Sequence, residues 1–540
     1  MNDLDTRIEG SSETVRPVPD WAVPPEAIPA ERIDREETAD IVIIGAGHAG
    51  SSAARAAVEE GASVIVIEQQ PEDTQWIMGV DIGTINSQFT RARGVPTYDP
   101  LEFMRDWQVR NLNKTNPYFA SYFAHHGGET LDWLLEPVSE EVKSHIHIMQ
   151  NPRPAHFPGQ YGAFRAFTGT IEMKEPGWSL REIVKANHDL ARSLGAKFYF
   201  GMTGEQLITE NDRVCGVVAV DAEGKYVRLN AKKGVLLAAG DFSKNEAMVR
   251  DLCPEVDNLT DGKGKIIGIG QDGKGIRMGI WAGARMDPGP IATTEGTRAG
   301  DAGAFLGTCF LRLNEYGMRF TDESFMGQVG SGSQGSRQPD GKLCAVFDSN
   351  WREELEYQMT EHGNIDMANT DFVHLLEEEM AKVPAAGAEG YEIKSHILPG
   401  PMRMFAADDI ATLAKYMGYT GESQKTFVRS VERYNELADK GVDEDFGKDA
   451  LFLHPIRKAP YFGFVAPKTT GFVLCTVTGL RVDNDQRALG DGFKPIPGLY
   501  ATGNCSGGRF AVDYSASMPG VSLGMAHTLG RAVGRHMARL

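Results

Sequence analysis

Ile41-Val-Ile-Ile-Gly-Ala-Gly-His-Ala-Gly50 is the stretch that decides the fold, because four apolar residues lead directly into a glycine-rich turn. The apolar run predicts a buried strand, and the alanine-rich segment 51–60 predicts a helix. A second apolar run, Val64-Ile-Val-Ile67, predicts a parallel strand. Together these elements indicate a βαβ unit of about 30 residues, which is typical of a doubly wound sheet.

The turn satisfies the pattern G-x-G-x-x-G in the right place, between a strand and a helix. Gly45 permits the tight turn, Gly47 lets the backbone approach a pyrophosphate, and Gly50 lets helix and strand pack closely. Glu68 ends the second strand, where a carboxylate can accept both ribose hydroxyl protons and repels a 2′-phosphate. We therefore predict a dinucleotide site; the alternative is a glycine turn and a strand-end acid that bind nothing.

Composition narrows the class of protein. The chain has 540 residues, 41% hydrophobic and 24% charged, which is typical of a globular protein with a large core. Its net charge of −19 repels phosphate backbones, so we expect no nucleic acid partner. The six cysteines include no C-x-x-C and suit a reducing compartment. Without an apolar run near 18 residues or a visible export signal, we expect a cytoplasmic protein with no transmembrane segment.

Other motifs carry less information. Gly268-Ile-Gly-Gln-Asp-Gly273 repeats the glycine pattern, but only two apolar residues precede it, so a second dinucleotide fold is doubtful. The same segment almost matches a P-loop, but Gly275 stands where a P-loop needs Ser or Thr to bind magnesium, so a P-loop is excluded. His145 and His147 lack a third ligand nearby, so we predict no metal site.

Two further segments, Val235-Leu-Leu-Ala-Ala-Gly240 and Gly498-Leu-Tyr-Ala-Thr-Gly503, bring a family resemblance into view. With the N-terminal turn they resemble the FAD-binding domain of the fumarate reductase/succinate dehydrogenase flavoprotein superfamily. That superfamily also contains urocanate reductases and 3-ketosteroid dehydrogenases. Met518-Pro-Gly-Val-Ser-Leu-Gly524 is most similar to the ketosteroid enzymes.

The resemblance implies an α/β (α+β) fold, in which an inserted mobile cap domain interrupts a Rossmann-type FAD-binding domain. Residues 1–38, rich in proline and acids, are expected to form an extended N-terminal arm. We predict the FAD-binding domain over 39–285 and 456–540. The substrate cap is predicted over 286–455, where Gly/Ser-rich loops and charged helices appear.

The resemblance also implies individual FAD contacts. Ala49 and Gly50 are expected at the pyrophosphate, Glu68 at the ribose, and Ile82 and Gly83 at the flavin face. Ala238 and Asp272 are expected along the dinucleotide, and Asn504 at the ribityl chain. Ser522 and Leu523 are expected beneath the flavin pyrimidine. The last two begin a helix whose N-terminus can stabilise the negative charge of reduced flavin near N1. Ile77 falls where succinate dehydrogenases carry the histidine joined to FAD, so we predict non-covalent FAD.

The substrate side departs from the fumarate reductase pattern. Cys475 and Ser517 occupy positions of a carboxylate-binding His and Arg, and Gly327 occupies that of the proton-donating Arg. A small dicarboxylate is therefore not expected, because buried anions need paired cations. The aromatic residues expected to suit a larger enone are Tyr161, Phe164, Phe510 and Tyr514.

Two candidates remain for proton transfer. Tyr514 precedes the segment that carries a carbonyl-polarising Tyr in ketosteroid dehydrogenases, although the match is two residues out of register. Arg298, fed by Glu295, is the other, because Thr294-Glu-Gly-Thr-Arg298 resembles a fumarate reductase proton pathway; the alternative is a surface ion pair.

The resemblance implies an FAD-dependent oxidoreductase acting on CH–CH bonds. It would transfer hydride between flavin N5 and a C=C bond conjugated to a carbonyl in a small molecule, with an electron donor or acceptor that the sequence does not identify. We favour reduction of a non-dicarboxylate enone or enoate. The alternatives are a 3-ketosteroid dehydrogenase, which desaturates, and a non-catalytic flavin electron-transfer protein.

Overall fold

The computed structural model describes residues 18–149, 167–173, 175–262, 264–294, 308–325, 331–339, 342–356, 367, 369–394, 402–467, 471–514 and 518–540. Within these ranges, no helix is both long and apolar enough to cross a membrane.

The strands, in chain order, are β1 (Ile33–Ile44), β2 (Val64–Glu68), β3 (Asp81–Ile82), β4 (His147–Met149), β5 (Thr170–Glu172), β6 (Lys197–Phe200), β7 (Thr203–Glu210), β8 (Arg213–Val220), β9 (Tyr226–Leu237), β10 (Ile267–Gly268), β11 (Thr293–Thr294), β12 (Leu311–Leu313), β13 (Lys342–Phe347), β14 (Tyr391–Ile393), β15 (Met402–Ala407), β16 (Tyr461–Pro467), β17 (Phe472–Val473), β18 (Cys475–Thr476), β19 (Arg487–Leu489) and β20 (Pro495–Ala501).

The α-helices are α1 (His48–Glu59), α2 (Gln88–Arg91), α3 (Pro100–Arg110), α4 (Pro117–Leu135), α5 (Glu140–Ser144), α6 (Leu180–Ser193), α7 (Glu246–Leu252), α8 (Pro254–Leu259), α9 (Lys274–Trp281), α10 (Ser331–Ser336), α11 (Trp351–Leu355), α12 (Thr370–Met380), α13 (Val383–Ala386), α14 (Ile410–Tyr416), α15 (Gly421–Lys440) and α16 (Val521–Ala538).

An eight-stranded sheet organises the dinucleotide-binding part. Its main order is β19-β20-β9-β1-β2-β6, and β8 and β7 continue from the first half of β9. β20, β9, β1, β2 and β6 run parallel to one another, whereas β19 and β8 are antiparallel to β20 and β9. Residues of β1 alternate between two cores, since Ile41 and Ile43 pack in one cluster and Val42 and Ile44 in another. Both faces of the sheet are therefore covered, as a parallel sheet requires. This arrangement confirms the predicted fold class.

Glycines let the βαβ unit and the last helix pack backbone against backbone. A Cβ added at Gly50 would lie 1.9 Å from the carbonyl oxygen of Gly45. Gly530 and Gly534 make the same kind of contact between α16 and α1, with added Cβ atoms 2.5 Å from the Ala49 oxygen and 2.3 Å from the Ala53 oxygen. This close packing places the first half of α1 beside the middle of α16.

A second sheet, in the antiparallel order β12-β13-β16-β15-β14, has four of its five strands within the predicted cap. Strand β16 belongs to this sheet, because all six residues of β13 pair with it. It nevertheless lies beyond residue 455, where the predicted cap ends. At the other end of the chain, β1 already begins at Ile33, inside the segment expected to be an extended arm. The division of the chain into domains stays a prediction.

Behind the second sheet lies a buried network of four charges. Arg319 donates to Glu323 (Nη2 to Oε2, 2.8 Å) and to Asp443 (Nη2 to Oδ2, 2.8 Å). Lys448 reaches Glu323 as well, with Nζ 3.3 Å from Oε2, and donates to the Tyr434 hydroxyl at 2.8 Å. The side chains of Glu323, Asp443 and Lys448 are 0% exposed. Arg312 is a further buried cation that acts on Glu323, so removing the Glu323 carboxylate leaves buried positive charge uncompensated.

We expect Glu323→Gln to lower the free energy of unfolding by about 3–5 kcal/mol, since it removes one buried anion while keeping the side-chain shape. Urea denaturation of the FAD-loaded protein measures this loss. Glu422→Gln is the matched control, because Glu422 pairs with Lys425 and Arg429 on the exposed face of α15. Its change should stay within about 0.5 kcal/mol. Equal denaturation midpoints for the two variants would contradict the role given to this network.

Candidate functional site

A cleft of about 1400 Å³, counting its part open to solvent, lies at the carboxyl ends of β1, β2, β9 and β20. Open parallel sheets bind their ligands at this edge. Gly45, Glu68 and Ala238 line the cleft where β1, β2 and β9 end, and Gly503 and Asn504 line it after β20. At its other end, Tyr514, Ser522 and Leu523 come from the approach to α16 and its first turn.

The glycine-rich turn has the shape that a pyrophosphate needs. Gly45 has φ +106°, which favours glycine, and a Cβ there would lie 2.4 Å from the Ala238 oxygen. A Cβ at Gly47 would meet nothing within 4 Å, so this position faces open space in the cleft. α1 begins at His48 and turns its free N–H groups and positive dipole end to that space. These features fit a dinucleotide phosphate.

The Glu68 carboxylate is fixed before any ligand binds. Its Oε2 accepts from the Ala46 N–H and its Oε1 from the Gln70 N–H, both at 3.0 Å, and the residue is only 8% exposed. A carboxylate oxygen accepts more than one hydrogen bond, so both oxygens retain acceptor capacity for the two hydroxyls of a ribose.

A chain of hydrogen bonds connects α1, α16 and the segment before β3. The Met78 carbonyl can only accept, so His48 donates to it from Nε2 (2.8 Å) and accepts at Nδ1 from Nε2 of His527 (2.9 Å). Nδ1 of His527 then accepts from the Ser52 hydroxyl at 2.7 Å. His48 and Met78 line the cleft, whereas His527 lies behind it at 1% exposed. This series of hydrogen bonds thereby connects the cleft wall at Met78 to α1, the helix that faces the phosphate site.

The imidazoles of His48 and His527 are both neutral near pH 7. Burial lowers the pKa of His48 from the ordinary 6.5 to about 4, and burial also lowers the pKa of His527 well below its usual range. The unfolded chain takes up protons at such groups below about pH 6.5, whereas the folded chain resists protonation until about pH 4. The histidine contribution to stability is therefore present above pH 6.5 and decreases as the pH falls towards 4.

The opposite end of the cleft combines a helix N-terminus with uncharged polar groups. Gly520 caps α16 with φ +64°, and Ser522 and Leu523 form its first turn. Cys475 lies in the cleft with its Sγ 3.5 Å from Oγ1 of Thr294. Tyr514 is 3% exposed and makes a backbone hydrogen bond with Ser522. Burial raises the pKa of Tyr514 well above its usual range, so its hydroxyl keeps its proton.

The sequence profile of a family described as "FAD binding domain" matches residues 40–523. The chain belongs to this family. Vinyl phenol reductase of Lactiplantibacillus plantarum is 25% identical over 94% of this chain and 97% of the relative. NADH:fumarate oxidoreductase of Klebsiella pneumoniae is 24% identical over 87% of this chain, which spans only 44% of that longer relative.

Solved structures agree on the fold. The 3-ketosteroid-Δ4-(5α)-dehydrogenase from Rhodococcus jostii RHA1 in complex with 4-androstene-3,17-dione has a TM-score of 0.67 and 22% identity, over 96% of this chain and 100% of that one. The superfamily resemblance and the FAD cofactor are thereby confirmed. The protein is an FAD-dependent oxidoreductase acting on CH–CH bonds.

The structure brings most of the predicted FAD contacts to this flavoprotein's cleft. Those that line it are Gly45, Gly47, Ala49, Glu68, Ala238, Asp272, Asn504, Ser522 and Leu523. Gly50 instead packs on Gly45, and Gly83 lies behind the start of α16, where its N–H donates to the Gly520 oxygen at 2.8 Å. Ile82 is likewise buried within β3 rather than facing the cleft.

Of the proposed catalytic residues, only Tyr514 lies within the described part of the chain, and it lines the cleft. Glu295 and Arg298 lie outside the described residues, as do Gly327, Ser517, Tyr161 and Phe164. Phe510 is buried behind the cleft and packs on Tyr514, with the ring centroids 5.1 Å apart. Ile77, which replaces the histidine that succinate dehydrogenases join to FAD, lines the cleft. Non-covalent binding of FAD stays a prediction.

Sequence reasoning missed Asp241, a buried carboxylate in the cleft wall. It accepts backbone N–H groups from Gln271 (2.6 Å), Ser243 (3.0 Å) and Thr476 (2.8 Å). Burial raises its pKa. Asp241 therefore ties the loop after β9 to the second glycine motif and to β18, beside Cys475. The acid immediately after Gly240 was the only local signal, because its partners lie far away in sequence.

We expect His48→Ala to weaken FAD binding about tenfold or more. The substitution frees the Met78 carbonyl and leaves the His527 N–H without its acceptor, and an unsatisfied buried group costs about 1–3 kcal/mol. Acid or heat should release intact FAD from the wild-type protein, so its dissociation constant is measurable by titration of the apoprotein. His125→Ala, on the exposed face of α4, is the control. If the His48→Ala protein binds FAD as tightly as the control, the hydrogen bonds of His48 to Met78 and His527 do not support FAD binding.

Proposed function

We propose that this flavoprotein reduces a C=C bond conjugated to a carbonyl in a substrate that is not a small dicarboxylate. The carrying observation is the charge of the cleft. Among its described lining residues Lys274 is the one permanent cation, and its Nζ donates to Glu205 at 2.6 Å. Anionic lining residues are more numerous, namely Glu68, Asp81, Asp241 and Asp272. A dicarboxylate would need paired cations that this lining does not offer.

The Tyr514 end of the cleft, where Asp81 is the charged group that acts on Tyr514, is otherwise largely apolar and supports the same proposal. Leu474, Cys475 and Val477 line it beside Tyr514. Behind them, Phe510 packs edge-to-face against Trp107 with ring centroids 5.0 Å apart, within one apolar cluster. Apolar walls with a few polar groups suit an aromatic or alicyclic substrate. Vinyl phenol reductase, whose length this chain matches almost fully, is named for such a compound.

Bound FAD supplies the two-electron chemistry, and the chain must supply the proton. The Tyr514 hydroxyl is buried in the cleft and stays protonated, so it is available to donate to the substrate carbonyl or carbon. A hydrogen bond with the Ser522 backbone fixes the position of the Tyr514 hydroxyl. Glu295 and Arg298 remain the alternative relay.

The substrate proposal predicts a clear order of activities. With chemically reduced enzyme, cyclic and aromatic enones, enoates and vinyl phenols should reoxidise the flavin faster than fumarate, because fumarate would bury two unpaired charges. Stopped-flow bleaching and steady-state kcat/KM measure the difference. Fumarate turnover near 10⁴ M⁻¹s⁻¹ or above, about the usual lower range for enzymes, would refute the proposal. Preferential oxidation of a saturated 3-ketosteroid would instead favour desaturation.

We expect Tyr514→Phe to lower turnover about 100-fold or more while leaving the oxidised flavin spectrum unchanged, since general acid assistance contributes about 10²–10⁴. Its high pKa also means that activity should show no decline from Tyr514 ionisation between pH 7 and about 9. Tyr118→Phe on the exposed face of α4 is the control. If Glu295→Gln produces the loss and Tyr514→Phe does not slow turnover tenfold, the relay is the donor.

A further inference from the structure

Arg509 is a fully buried cation directly behind the cleft. It follows a glycine pair after β20 and is 0% exposed. Its Nη2 donates to Oδ1 of Asn504 at 2.6 Å, and its Nη1 donates to the Ser522 carbonyl at 3.2 Å. The Val477 carbonyl lies at the 3.5 Å limit. Its Nε has no hydrogen-bond partner within the described residues.

This guanidinium lacks a counter-ion in the described part of the chain. Its hydrogen-bond acceptors are all neutral, and the titratable groups that bear on its charge are the thiols of Cys475 and Cys505 and the hydroxyl of Tyr514. Burial lowers its pKa to about 10, which leaves it charged at neutral pH. An uncompensated buried charge is costly, so a site that retains one gains from an anion nearby.

The contact with Arg509 also sets the direction of Asn504. A guanidinium can only donate, so the Asn504 carbonyl oxygen must face Arg509. The amide Nδ2 is then the Asn504 group left for the cleft, which this residue lines. Ser522, the second Arg509 partner, lines the cleft in the first turn of α16. Both residues that Arg509 contacts in this way face the cofactor cleft.

The N-terminus of α16 adds positive potential at the same place. The helix has 18 residues, and its first turn carries the partial positive charge of the helix dipole. Arg509 lies beside it, with its guanidinium carbon 5.6 Å from the centroid of Phe510, a member of a buried apolar cluster. Electrostatic interactions are stronger in such surroundings than in water.

We propose that Arg509 raises the reduction potential of FAD, acting through the Asn504 amide and together with the α16 N-terminus. Two-electron reduction with uptake of one proton gives a flavin anion, and the charge on Arg509 stabilises that anion relative to the neutral oxidised ring. Arg509 is a positioning residue, because it acts through Asn504 and Ser522. The inference rests on FAD binding and on the pyrimidine facing Ser522; it is independent of the substrate proposed above.

The test is the two-electron potential of FAD in the purified holoenzyme, measured by equilibration with a reference dye and without any substrate. Arg509→Met removes the charge and keeps the length of the side chain. We expect it to weaken the preference for reduced over oxidised FAD at least tenfold, which is about 30 mV for a two-electron couple. Arg509→Lys keeps the charge and should shift that preference less than threefold.

Asn504→Ala tests the second half of the proposal. It removes the cleft-facing amide while leaving Arg509 in place, and it should also weaken the preference for reduced FAD about threefold or more. A potential equal to that of the wild-type protein in either holoenzyme would overturn the inference. If Arg509→Met retains no FAD, Asn504→Ala alone decides. A shift in potential in a protein that reduces none of the enones would reject the substrate proposal and leave this one standing.

Discussion

Backbone against backbone contact at the glycine-rich turn is the constraint on which the rest of the structure depends. A side chain at Gly50 would collide with Gly45, and one at Gly45 with the end of β9. Because no Cβ intervenes, β1, α1 and β9 converge closely enough to form one edge. α16 repeats the device with Gly530 and Gly534 against α1. The cofactor cleft is the space that these close approaches leave open.

The same packing determines the electrostatics of the site. α1 and α16 both turn positive N-terminal ends to the cleft, one beside Gly47 and one at Ser522. His48 and His527 contribute no charge at neutral pH, since burial keeps both imidazoles neutral. Positive potential is thus provided by backbone dipoles and by Arg509 behind the wall, whereas the described lining is uncharged or acidic apart from Lys274, which is paired with Glu205. This combination fits an anionic cofactor and a substrate without two carboxylates.

The second sheet has a core of its own. Phe310, Phe347 and Phe462 stack in sequence across β13 and β16, with ring centroids 4.1 and 5.7 Å apart. The ionic network around Glu323 lies with this sheet and makes no contribution to the cleft lining. Stability of the second sheet and chemistry of the cleft are therefore served by different groups of residues.

The sequence by itself determined what depends on neighbours along the chain. Periodicity and glycine spacing predicted β1, α1, β2 and the phosphate turn, and Glu68 followed from its place at a strand end. These elements were readable because strand and helix patterns are local. Tyr514 and the first residues of α16 came from a motif rather than from physics, yet they do face the cleft.

Only the tertiary structure decided which distant residues meet. His48 and His527 are 479 positions apart, and Asp241 lies 235 positions from Thr476. β16 pairs with β13 although the change in sequence character suggested a boundary before it. Arg509 gave no signal because a buried cation and a surface cation look alike in a sequence. The physical reason is common to all four: burial, hydrogen-bond direction and charge compensation depend on which segments pack together, and a linear pattern does not encode that packing.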